Sequence, residues 1–169
     1  VHSPGTRIVF LDFDGVLNQG YDKKRGAPSG FDYSVPSCVL ALNALTRAVP
    51  AKIVVSSSWR IEHPIEELRG VLRKWGVEGE VIDVTPDLED ASGFPAARIV
   101  EIRAFLDMCS EPIESFVVLD DQDIRLDIDN ALVKDEEIEK RFVRTVTEIG
   151  FTSQLAVDAA RALALLRHP

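Results

Sequence analysis

The sequence is poor in the residues that soft-metal and redox chemistry require. It has only two cysteines, Cys38 and Cys109, both inside apolar helical patterns and neither in a CxxC. Thiolate zinc sites and redox pairs are therefore not indicated, and both cysteines read as small buried hydrophobes. Three histidines, His2, His63 and His168, stand near the chain ends or at a helix start, in no catalytic spacing. No run approaches the ~18 uninterrupted apolar residues of a membrane-spanning helix. The first apolar run, Ile8 to Leu11, stops at Asp12, too short for a signal-peptide core. A reducing, cytoplasmic setting is the expectation. Basic residues are also in short supply, 19 against 28 acidic, for a formal charge of −9. That balance argues against passive, non-specific nucleic-acid binding, which needs a surplus of Lys and Arg, but leaves room for a local basic patch. There is no internal repeat and no low-complexity linker.

What is present is material for one core: 169 residues, 46% hydrophobic. A chain of this size buries roughly 70% of its unfolded surface, so it needs no staples. Short β-branched runs alternate with longer stretches of helical period, the pattern of βαβ units around a parallel sheet. Strands are expected at 7–11, 51–55, 81–84, 116–119 and 142–146. Helices are expected at 37–49, 64–75, 95–108 and 152–167. Pro36 starts the first helix and Pro50 stops it. The longest irregular stretch runs from Val16 to Ser34, a length usually given to function. Residues 135–141 read as a solvated helical turn with a Glu136–Lys140 pair.

Chemistry gathers at the carboxyl ends of these strands, where parallel sheets bind ligands. The first strand ends in Asp12-Phe13-Asp14-Gly15. Residues i and i+2 of an extended chain point the same way, so both carboxylates face one small volume. They repel unless a cation or a shared proton lies between them. Gly15 lets the chain turn sharply and bring its backbone close to a ligand. The second strand ends in Ser56-Ser57-Ser58-Trp59-Arg60, whose hydroxyls suit a phosphoryl oxygen and equally suit a helix cap. The fourth ends in Asp120-Asp121, with Asp123 close by. With Asp12 and Asp14, these acids make a hard-oxygen nest suited to Mg²⁺, and no His or Cys accompanies them to favour zinc.

The order of these elements resembles the haloacid dehalogenase (HAD) superfamily of phosphohydrolases over nearly the whole chain. The matching stretches are IVFLDFDGVL, IVVS, the basic Arg98 at a helix start, and FVVLDD. More narrowly, SSSWR, Arg98-Ile99-Val100-Glu101-Ile102, LDD and Glu148 to Thr152 resemble the HAD domains of Swiss Army Knife RNA repair proteins and their stand-alone relatives. The resemblance implies an α/β fold, a capless Rossmannoid three-layer sandwich on a parallel five-stranded sheet. It would occupy residues 7–167 as one domain, with 1–6 a terminal remnant or tail. It implies Asp12 as nucleophile, forming an aspartyl-phosphate, and Asp14 as the acid and base. Mg²⁺ would be held by Asp12, the carbonyl of Asp14, Asp120 and Asp121. Ser56, or Ser57 if the register differs by one, would bind the transferring phosphoryl, and Arg98 would neutralise its charge.

Substrate class follows from what is missing. The stretches from Asp14 to Ser56 and from Ser56 to Arg98 are filled by core elements, which leaves no room for a full cap domain. An open site favours a phosphorylated polymer end, an RNA or DNA end first, with phosphoprotein or a small metabolite as the alternatives. Lys23, Lys24 and Arg25 would stand near the site and steer a polyanion. Trp59 could stack on a base or anchor packing. Arg60 could bind substrate phosphate or tie its loop to an acid. A receiver-type signalling module also uses an acidic Mg²⁺ pocket, but it places its paired acids after the first strand and its acceptor after the third, the reverse of the order here.

Overall fold

The computed structural model describes residues 5–19, 33–91, 93–127, 129 and 131–167. Five strands, β1 (Thr6–Leu11), β2 (Lys52–Val55), β3 (Val81–Val84), β4 (Ile113–Asp120) and β5 (Phe142–Arg144), form one sheet in the order β3-β2-β1-β4-β5. Every pairing is parallel. The helices are α1 (Pro36–Ala48), α2 (Trp59–Glu62), α3 (Ile65–Trp75), α4 (Arg98–Met108), α5 (Glu136–Glu139) and α6 (Ser153–Ala164).

Side-chain alternation divides the core into two layers. Val9, Leu11, Ile53, Val55, Val117 and Leu119 point to the face covered by α1, α3 and α6. Ile8, Phe10, Val54, Phe116 and Val118 point to the other, where Ile99, Ile102 and Phe105 of α4 cover them. Both faces are buried, which is why β1 and β4 read as continuous apolar runs rather than alternating ones. The expected three-layer sandwich is the one observed, and no cap domain occurs among the described residues.

Differences from the sequence-based boundaries have local causes. β4 begins at Ile113 rather than 116, because Ser115 is fully buried and its hydroxyl bonds the Leu165 carbonyl at 2.7 Å. α4 begins at Arg98 rather than 95, because Pro95 pairs with Glu89 in an isolated antiparallel bridge. The short α2 has no apolar period and was not expected. Glu136 and Lys140 do pair, at 3.6 Å, on an exposed turn. Both cysteines are free thiols. Among the described residues, no helix is long and apolar enough to cross a membrane.

The chain runs outward from β1 through β2 to β3, then returns to lay β4 on the far side of β1. That reversal opens a crevice at the carboxyl ends of β1 and β4. Asp12 follows one of these strands and Asp120 ends the other.

Candidate active site

Asp12, Asp120 and Asp121 meet at this crevice, with one carboxylate oxygen from each within 4.8 Å of the others. Asp12 is 5% exposed and Asp120 1%. Arg98, delivered by the first turn of α4, reaches between them: its Nη1 lies 3.3 Å from Asp12 Oδ1 and 3.1 Å from Asp120 Oδ2, and it donates to the Ser56 carbonyl. Burial raises the Asp12 pKa, and Arg98 only partly offsets this. Asp120 is pushed up to about 8, first by burial and then by Asp12 beside it, against the pull of Arg98. Burial opposes charge on Arg98 too, yet Asp12 and Asp120 together carry its pKa above the usual value.

These residues fit a divalent metal ion. With all three ionised, the carboxylates outnumber the one guanidinium by two charges in a largely buried setting. Asp120 Oδ2, which Arg98 approaches outside hydrogen-bonding direction, and Asp121 Oδ1 are buried with no hydrogen-bond partner. Unmatched buried anionic oxygens are costly without a cation. The donors are hard carboxylate oxygens, the set that Mg²⁺ and similar ions prefer.

The glycine of the first motif locks the two acidic strand ends together. Gly15 has φ +70°, and a Cβ there would stand 2.3 Å from Asp121 Oδ2. Its carbonyl accepts the Thr145 hydroxyl at 2.6 Å, while Thr147 donates to Asp121 Oδ2 at 2.6 Å. Gly15 thus permits close packing of the first motif on Asp121.

The run 56–60 spends each member on a different partner. Ser57, not Ser56, hydrogen-bonds Asp12 through its hydroxyl. Ser56 gives its amide to the Leu11 carbonyl at 2.8 Å and its carbonyl to Arg98, and its own hydroxyl is buried without a partner. Trp59 donates its indole N–H to Asp14 Oδ2 at 2.8 Å, while its ring packs edge-on against Phe13 and Trp75. Of the two roles weighed for Trp59, packing is what the ring does, with an added bond to an acid. Arg60, expected at the substrate or tied to an acid, lines the cleft beside Arg98 and Asp120, and its side chain, 3% exposed, pairs with Glu101 at 2.6 Å. It also donates to the carbonyls of Ser57, Thr85 and Pro86. It ties the loops after β2 and β3 to an acid of α4, the second of the roles weighed for it.

The other expected residues divide as follows. The Asp14 carboxylate stays outside the acidic trio and is held by Asn18 Nδ2 at 2.9 Å and by Trp59. Asp123 pairs with Arg125 at 2.6 Å, and that partner draws its pKa down to about 2. Lys24, with Lys23 and Arg25, lies outside the described residues, as do His2 and His168. His63 sits beside Glu67, 3.1 Å away, far from any nucleophile role. A cleft of about 380 Å³ opens beside Arg98 and Asp120, lined also by Ser58, Ile61, Gln122 and Leu126. Sequence reasoning missed Asn18, Thr145 and Thr147. Only Asn18 left a signal, its place in the turn just after DxDG.

Comparison with known proteins agrees with this arrangement. A search of curated proteins finds no match. The family model described as the HAD domain in Swiss Army Knife RNA repair proteins matches residues 8–156, from β1 into α6 and across every residue of the site. The chain belongs to that family of HAD domains.

Proposed function

We propose that this protein is a Mg²⁺-dependent phosphomonoesterase that acts on a phosphorylated nucleic-acid end through an aspartyl-phosphate on Asp12. The observation that carries the reading is the single Arg98 guanidinium set between Asp12 and Asp120, next to carboxylate oxygens left unmatched by the protein. A phosphoryl group seated there meets a nucleophile on one side and a half-buried cation on the other.

The residues divide the work by environment. Asp12 attacks phosphorus in line: its carboxylate oxygen forms the new P–O bond as the bond to the leaving oxygen breaks. Asp14, outside the trio, gives that oxygen its proton. A water then attacks the phosphorus, loses its proton to Asp14, and frees Asp12 and inorganic phosphate. Ser57 orients Asp12. Arg98 balances charge as it spreads over the phosphoryl oxygens. Mg²⁺, held by Asp12, Asp120 and Asp121, would keep Asp12 ionised and screen the incoming phosphate.

A nucleic-acid end is favoured because the family is one of RNA repair and no cap narrows the mouth among the described residues. The test is Mg²⁺-dependent phosphate release from 3′- and 5′-phosphorylated oligonucleotides, phosphopeptides and sugar phosphates, with Asp12→Asn as control. Release from an oligonucleotide, lost in the variant, is expected. Turnover of phosphopeptides or sugar phosphates alone would reassign the substrate, and a fully active variant would overturn the mechanism.

A further inference from the structure

We propose that Trp59 and Asn18 are positioning residues that hold the Asp14 carboxylate as a pair and so set how well the enzyme expels poor leaving groups. Each oxygen of Asp14 has one of these donors. Asn18 Nδ2 bonds Oδ1 at 2.9 Å and Trp59 Nε1 bonds Oδ2 at 2.8 Å. An acid that serves as proton donor and then acceptor must keep its reacting oxygen aimed at the leaving atom, and small displacements cost rate steeply.

Both holders are themselves fixed. Asn18 is buried and accepts the Gly15 amide on its own Oδ1 at 3.2 Å, so it reads the same tight turn that carries Asp14. Trp59 comes from a different element, the start of α2. Its ring is wedged against Phe13, with centroids 5.4 Å apart, and against Trp75, 6.0 Å apart. Phe13 lies between the two aspartates in sequence. The aromatic contact therefore links the β1 turn to α2, while the indole N–H bonds Asp14. Two neutral donors on a half-buried carboxylate differ in kind from the charged grip of Arg98 on Asp12. They orient Asp14 without adding a cation that would compete for the phosphoryl group.

The inference rests on the phosphomonoesterase reading, and its test separates the two. Trp59→Phe keeps an aromatic ring against Phe13 and Trp75 and removes only the N–H. Asn18→Ser is the independent variant on the other oxygen. The readout is kcat/KM, which reports steps up to phosphorylation of Asp12, for phosphorylated oligonucleotides against p-nitrophenyl phosphate, whose leaving group needs little protonation. Each variant is expected to lose about 10- to 100-fold on the oligonucleotide and less than about 3-fold on p-nitrophenyl phosphate. Asp14→Asn should show the same split, more strongly. Equal losses on both substrates, or no loss on either, would overturn the positioning role while leaving the phosphatase reading intact. A wild-type protein that releases phosphate from neither substrate would overturn both.

Discussion

Two arginines, Arg141 buried and Arg98 half-buried, serve opposite ends of β4, and their surroundings differ in kind. Near its start, Arg141 donates to the Ser115 hydroxyl at 3.0 Å and to the carbonyls of Ala162, Leu165 and Leu166, with its guanidinium over the Phe116 ring. Its nearest partners are neutral, so burial leaves its pKa lowered. At the strand's far end, the half-buried Arg98 faces Asp12 and Asp120, and these acids raise its pKa against the desolvation that opposes its charge. Arg141 ties α6 to the sheet by matching backbone groups that would otherwise be orphaned. Arg98 sits among acids two of whose buried oxygens, Asp120 Oδ2 and Asp121 Oδ1, have no hydrogen-bond partner in the protein.

The contrast breaks most sharply on substitution. Arg98→Met should lower phosphatase kcat/KM by about 10³-fold with the fold retained by circular dichroism. A loss under tenfold would place Arg98 with the structural arginine instead. Arg141→Met should do the reverse. It is expected to cost about 3 kcal/mol, read from the urea midpoint, with kcat/KM of the folded fraction within twofold of wild type.

Acidity tests the same contrast without mutation. Asp12 and Asp120 have raised folded-state pKa values, so in metal-free protein their contribution favours folding below the ordinary carboxylate range. That contribution is lost as pH rises toward about 8, because the unfolded chain gives up these protons first. The metal-free melting temperature should therefore fall from pH 5 to pH 8, and the rise produced by Mg²⁺ should be larger at pH 8 than at pH 5. A rise that is equal at both would detach the metal from these acids.

Gly15→Ala should have the smallest effect of the set. The left-handed backbone and the crowding against Asp121 predict a loss of about 1–3 kcal/mol. Mg²⁺ affinity by calorimetric titration should weaken by about tenfold.

Much of this molecule could be read from residues alone, and what could not has a physical reason. β1 and β4 were visible because buried parallel strands are unbroken apolar runs, and the acids that end them mark the site. Arg98 was legible only through the resemblance to the HAD motif order, in which a basic residue stands near the start of the helix before the fourth strand. The choice between Ser56 and Ser57 as the hydroxyl for the phosphoryl was open because the strand end is uncertain by one residue, and successive residues of a strand point to opposite faces. The two roles open to Arg60, a substrate phosphate or an acid, could not be separated because Glu101, which stands 2.6 Å from it, lies far along the chain. The indole N–H of Trp59 points at Asp14 only because α2 turns there, and no periodicity announces a four-residue helix.

The central claim is that two aspartates, two positions apart, divide the chemistry: Asp12 takes the phosphoryl group and Asp14 moves the protons. Rapid-quench analysis of Asp14→Asn with p-nitrophenyl phosphate and Mg²⁺ tests it directly. The leaving group departs without an acid, but the water that should free Asp12 has lost its base. The account predicts a stoichiometric burst of nitrophenolate and a phosphorylated protein whose label, trapped by borohydride reduction, maps to Asp12. No burst and no label, or a label on any other residue, would contradict it.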